Sequence, residues 1–213
     1  MHTRKMVNNI KISSLIILIL VLFGCQNAEQ KIIKIIEKDF GLYENENDSI
    51  AIELKLTEFQ NWKELLERTE QIVCNDSLPK ITIENDSLIK RIYLRNPCWE
   101  ELACILIKQK NTIEIHNDTI NKADENFYPL DSLPNILRRD IENNGKNIRL
   151  SDSPEKLLFY ISYDNGGIEN LPKTLDKLTQ AYERITNKTD INIWLNEKFD
   201  IPPPPPKEII EIE

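Results

Sequence analysis

From Ile50 the chain alternates in polarity: Ile50, Ile52, Leu54 and Leu56 are apolar, while Glu53 and Lys55 are charged. A period of two predicts a strand over 50–56 with one buried face. The period then lengthens. Thr57 and Gln60 have the spacing of a capping box, with Thr at the N-cap and Gln at N3. Phe59, Trp62, Leu65, Leu66, Ile72 and Val73 follow on one helical face, which ends at the turn-forming residues 75–79. Residues 80–84 and 88–94 read as two strands joined at Asn85, Asp86 and Ser87.

Asn96-Pro97-Cys98-Trp99 breaks the pattern, and a second series begins. Residues 103–108 are apolar and β-prone, Asn111 permits a turn, and 112–116 alternates, which predicts a hairpin. Residues 121–128 read as loop. Asp131 or Ser132 caps a helix whose first turn carries Pro134, where the missing N–H costs nothing. Its apolar stripe is Leu133, Ile136, Leu137 and Ile141, and Gly145 stands in a C-cap position. A buried strand over 156–163 ends at Gly166-Gly167. A second helix capped by Asn170 carries Pro172 and the stripe Leu171, Leu175, Leu178, Tyr182 and Ile185. Asp176 lies off that stripe and is expected to tolerate alanine. A last strand covers 190–196. The expectation is an α+β fold: a small α+β unit over 49–97, then a β-β-α-β-α-β two-layer sandwich over 98–198, with two helices on one face of its sheet. Residues 103–196 are expected to fold alone.

The first 24 residues carry Arg4, Lys5 and Lys11, no acid, and an apolar run over 15–23. That run is too short for a bilayer core, which needs about 20 residues, and it matches the apolar region of a secretory signal. Leu22-Phe23-Gly24-Cys25 resembles a bacterial lipobox, with Phe23 bulkier than usual. The resemblance implies cleavage before Cys25 and diacylglycerol on its thiol, hence a protein held on the membrane by its acyl chains. Gln26 in place of Asp implies the outer membrane, facing the periplasm. Residues 25–48 then form a stem whose apolar cluster, Ile32, Ile33, Ile35 and Ile36, reads as a short helix.

The chain has 213 residues, 40% hydrophobic and 29% charged, with a formal net charge of −8. This is the composition of a globular protein, and the acidity argues against a nucleic-acid partner. With Cys25 committed to lipid, Cys74, Cys98 and Cys104 remain, and the periplasm permits a disulfide. Cys74 with Cys98 or with Cys104 is the favoured pairing, set against three buried thiols. Neither the cysteine spacing nor a histidine partner suits zinc. His116 reads as a solvated residue at a strand end. Glu100-Glu101 reads as a solvated turn or helix start, Gly166-Gly167 as a turn without a phosphate cradle, and Trp62, Trp99 and Trp194 as core or rim aromatics. No cofactor and no catalytic group is expected.

Ser153-Pro154-Glu155-Lys156, the apolar strand after it, and the helix ending Ala181-Tyr182-Glu183-Arg184 resemble the periplasmic domain of the ExbD/TolR biopolymer-transport family. The similarity extends over about residues 103–196. It implies that fold, a tendency to dimerise, and contact with other envelope proteins. The family's motor chemistry depends on a membrane aspartate, and residues 1–24 contain no acid, so that chemistry does not carry over. The tail, 199–213, has five consecutive prolines followed by Lys-Glu-Ile-Ile-Glu-Ile-Glu. It is similar to the start of the periplasmic linker in TonB proteins, and the prolines span about 15 Å as polyproline II. The function expected is a non-catalytic protein-interaction module near an ExbD/TolR/TonB-type complex. The alternative is a small-molecule or glycan-binding outer-membrane lipoprotein with a pocket between the two units.

Overall fold

The computed structural model describes residues 34–43, 46, 48–85, 87–101, 106–122 and 126–198. Cys25, Cys104, the signal segment and the proline tail lie outside them. The elements form an α+β fold with two mixed sheets. Strands β1 (Ile36–Phe40), β2 (Ala51–Glu53), β3 (Leu78–Asn85) and β4 (Leu88–Tyr93) make the first sheet, in the order β1-β4-β3-β2. β3 and β4 are an antiparallel hairpin, while β1 runs parallel to β4 and β2 parallel to β3. Helix α1 (Trp62–Val73) makes the crossover from β2 to β3 and buries Trp62, Leu65, Thr69 and Ile72.

Three expectations are corrected here. The helix starts four residues after the expected box at Thr57, because Asn61 and Glu64 supply the reciprocal cap instead. Asn61 Oδ1 accepts from the Glu64 amide at 3.0 Å, and the Glu64 carboxylate accepts from the Gln60 amide at 2.8 Å. Thr57 lies in a separate 3₁₀ turn (Leu56–Glu58), and a second such turn (Asp48–Ile50) shortens the expected strand over 50–56 to the three residues of β2. In addition, Ile35 and Ile36 stay exposed, and residues 36–40, expected in the stem, form β1. Only Phe40 of that strand is fully buried; the backbone ladder to β4 holds it, with ion pairs from Asp39 and Glu37 to Arg91 of β4 and from Lys38 to Glu183.

The second sheet has the order β7-β6-β5-β8-β9. Its strands are β5 (Thr112–His116), β6 (Thr119–Lys122), β7 (Asn126–Pro129), β8 (Leu158–Ser162) and β9 (Ile193–Leu195). β5, β6 and β7 form an antiparallel meander; β8 and β9 run parallel to β5. The element order is thus β-β-β-α-β-α-β, one strand more than the sequence pattern suggested. The hairpin partner of β5 follows it: Asn117 and Asp118 both have positive φ (46° and 60°), which a two-residue hairpin turn requires and which these residue types tolerate. The expected loop over 121–128 therefore contributes to β6 and β7, and 106–108, read as strand, is irregular.

Helices α2 (Leu133–Ile141) and α3 (Leu171–Thr186) supply the crossovers into β8 and β9. Right-handed crossovers in the same direction put both helices on one face. That face carries Ile113, Ile115, Phe159, Ile161, Ile193 and Leu195, all essentially inaccessible, and Phe159 meets Tyr182 of α3 edge-on. Lys122 also points inward, and its ammonium reaches Asp140 at 2.8 Å and the Lys110 and Thr112 carbonyls.

A single cluster of buried apolar residues extends from Phe40, Leu54, Trp62 and Ile92 in the first half to Ile113, Phe159, Leu175 and Leu195 in the second. The divide at 97/98 therefore separates the two sheets along the chain but not their core. Trp62 meets Tyr163 edge-on, and its Nε1–H donates to the Asn196 carbonyl at 2.9 Å. Asp176 is also corrected: it does not stand free in solvent but reaches Lys90 of β4, whose side chain is 4% exposed, at 2.7 Å. Lys90 donates further to Thr179 Oγ1 and the Asp176 carbonyl.

Beyond Tyr93 the chain runs along the outer rim of β9. The Arg95 amide donates to the Ile193 carbonyl, and the Asn96 side chain binds both the amide and the carbonyl of Leu195. Two residues later, Cys98 forms a disulfide with Cys74 at the end of α1, one of the two pairings favoured from the sequence. Among the described residues no helix is long and apolar enough to cross a membrane.

Candidate functional site

Each strand has two faces, and only one face of the five-stranded sheet meets helices. The registers place one residue from every strand in a single row across the other face: Phe127, Asn121, Glu114, Tyr160 and Trp194. At the spacing of neighbouring strands the row is about 19 Å long. The next row holds Thr119, His116 and Ser162. Between them lies a groove of about 500 Å³, lined by Glu114, His116, Asn121, Phe127, Tyr160 and Ser162 among others.

Aromatic rings hold one end of the row. Trp194 packs edge-on against Tyr160 and against Trp99, with Leu158 and Ile107 beside them. At the other end Phe127 is 73% exposed. Between the rings, Glu114 is half-buried, and burial pushes its carboxyl above the usual carboxylate range. A single hydrogen bond from Asn121 Nδ2, at 3.4 Å, offsets that only in part. Burial, with the Glu114 charge beside it, pushes the Tyr160 phenol up to about 12.

His116 is corrected: it is not a solvated strand end but lies in the groove wall, its side chain 24% exposed. Its Nδ1 is 2.9 Å from Ser162 Oγ, and its Nε2 is 3.6 Å from Asp164 Oδ1. Asn117 ties the same loops together, donating to Asp164 Oδ2 at 2.7 Å and accepting from the Asp164 amide. Serine, histidine and aspartate are the residue types of an acyl-transfer triad, but Asp164 is 80% exposed and beyond hydrogen-bond range of the ring. The arrangement clasps the β5–β6 turn to the end of β8.

Comparison of the chain with protein-family models, with curated proteins and with solved structures found no match. The groove must therefore be judged on its geometry. Of the site residues named from sequence, Cys74 and Cys98 are bonded to each other on the side of α1, and Cys25 and Cys104 lie outside the described residues. Among the described residues no group of three or more His, Cys, Asp or Glu side chains is placed to hold a metal. A smaller cleft of about 310 Å³ lies between α1 and β9, lined by Leu66, Glu70, Pro97, Trp99 and Asn196 among others. The residues that sequence reasoning missed are Glu114, Tyr160 and Phe127. The signal for Glu114 was its outward place between Ile113 and Ile115; for Tyr160 there was none, since all five residues of β8 are buried.

Proposed function

We propose that this chain is a lipid-anchored, non-catalytic protein of the bacterial envelope that works as a protein-interaction module. Cys25 carries the lipid, the outer membrane is the address, and the domain faces the periplasm. The observation that carries the reading is the open face of the five-stranded sheet. A sheet with helices on one side and water on the other usually alternates apolar-in and polar-out. Here the outward row ends in Phe127, 73% exposed, beside a groove that Tyr160 also lines, while Tyr160 and Trp194 themselves are largely covered. The groove with its exposed ring is a surface suited to being covered. The ExbD/TolR resemblance supplies the partner class: envelope proteins around a transport complex, or a second copy of this chain.

A small-molecule or glycan-binding lipoprotein is the second reading. Its support is the same groove, whose volume and mixture of rings with polar groups fall in the range of ligand sites.

A photo-crosslinking residue at position 127, with a control at the exposed helix position 180, tests the first reading. Crosslinks from 127 to envelope proteins, and none from 180, are expected in intact cells. Equal labelling from the two positions, or none from 127, would overturn it. Cys25→Ala should abolish lipid labelling and leave an unprocessed precursor; normal processing of that variant would remove the anchor from the proposal.

A further inference from the structure

Glu114 differs from the other carboxylates drawn into this fold. Asp140 meets Lys122 at 2.8 Å, Asp176 meets Lys90 at 2.7 Å, and Glu46 meets Arg95 at 2.7 Å. Glu114 takes no ion pair among the described residues, and its one hydrogen bond is long. A carboxylate removed from water without a cation is unfavourable to the fold. Yet Glu114 does not sit in the interior, where an apolar residue would serve better; it forms part of the groove lining, with Tyr160 and Asn121 as its cross-strand neighbours.

The surroundings indicate what would complete it. Tyr160, only 8% exposed, stands next to Glu114 in the row, and Phe127, on the far side of Asn121, offers an exposed ring. Lys198 lines the same groove but makes no ion pair with Glu114. Aromatic faces attract cations and cover the methylene stems of long basic side chains. About 500 Å³ is more than one such side chain fills, so flanking residues of the same segment enter too. The chain's own net charge of −8 favours approach of a basic partner.

We infer that the groove receives a lysine or arginine side chain of a partner protein, its cation on Glu114 and its stem against Tyr160 and Phe127. This rests on the reading of the open sheet face as the interaction surface. It narrows the partner to one that presents a basic residue on an extended segment. Neutral glycans, a second copy of this chain and the chain's own Lys198, which also lines the groove, are the competing occupants.

The test uses the full-length chain in detergent and four pentapeptides, dye-labelled on the N-terminal amine and amidated at the C-terminus, with glycine around a central lysine, arginine, norleucine or glutamine. Anisotropy should show lysine and arginine peptides binding at least tenfold more tightly than norleucine. Glu114→Gln, which keeps the shape of the side chain, should erase that preference, whereas Glu169→Gln, at an exposed site elsewhere, should leave it intact. Thermal melts of both variants check that the fold survives. Equal binding of lysine and norleucine peptides, or a preference that persists in Glu114→Gln, would overturn the inference. So would a neutral disaccharide that binds wild type and Glu114→Gln alike while displacing the peptides. If the charge preference is missing but position 127 still crosslinks envelope proteins, the inference fails and the interaction reading stands. If position 127 crosslinks only to its own copy, the basic-partner assignment fails with it.

Discussion

Lys90 enters the interior from the middle of β4, on the same side of the strand as Ile92. It is held there by Asp176, Thr179 and a backbone carbonyl of α3, with its ammonium 5.6 Å from the centre of the Phe40 ring. Removing one partner of such a pair leaves the other charge uncompensated. Asp176→Ala should therefore cost about 2 kcal/mol, moderated because Asp176 is 35% exposed. Urea unfolding measures this, and Asp176→Asn should recover part of it through its hydrogen bonds. A loss below about 0.5 kcal/mol, the ordinary cost at a surface site, would show that Lys90 finds solvent or another acceptor. The apolar stripe of α3 was legible in the sequence because it sorts residues by hydrophobicity. Asp176 was not, since its role depends on an inward lysine some 86 positions earlier. The signal lay in β4, where an alternating strand puts a lysine in register with Ile92 and so calls for a carboxylate.

At the scale of elements, α2 and α3 were the most readable parts, because proline near each start and a stripe at helical spacing are local signals. β1 was not, for its side chains are mostly charged: it joins the sheet through a parallel backbone ladder to β4, and its ion pairs reach Arg91 of β4 and Glu183 of α3. The β6–β7 pair was missed for a related reason: polar Asn121 and buried Lys122 disguise a strand as a loop. The Cys74–Cys98 disulfide joins the end of α1 to the segment that lines β9, across 24 positions of sequence. Closing a loop of that size restricts the unfolded chain and contributes about 3 kcal/mol. Cys98→Ser should lose that amount in reversible urea unfolding, and added reductant should lower wild type to the same level but leave the variant unchanged. Reductant that leaves wild type unaltered would show that the bridge adds nothing.

Across the whole molecule, the core is shared by both sheets. A chain cut to residues 98–198 would lose Leu54, Trp62 and Ile92 from that core, along with Arg95 and Asn96 at the rim of β9. It is expected to show no cooperative melt by circular dichroism, while 34–198 melts as one unit. A cooperative transition in the short chain would establish the second sheet as an independent domain. The α+β class was legible because it needs only the types of element. The groove was not, because Phe127, Asn121, Glu114 and Tyr160 come from four strands and meet only through register. One feature of that sheet bears on how copies behave when crowded. An exposed strand edge is a template on which another chain can crystallise its own backbone. At β9 that role is already filled: Asn96 uses a side-chain amide to imitate a peptide group, and Arg95 occupies the Ile193 carbonyl. An incoming strand meets a rim that is chemically finished, so copies packed side by side cannot link into a continuous fibre through it.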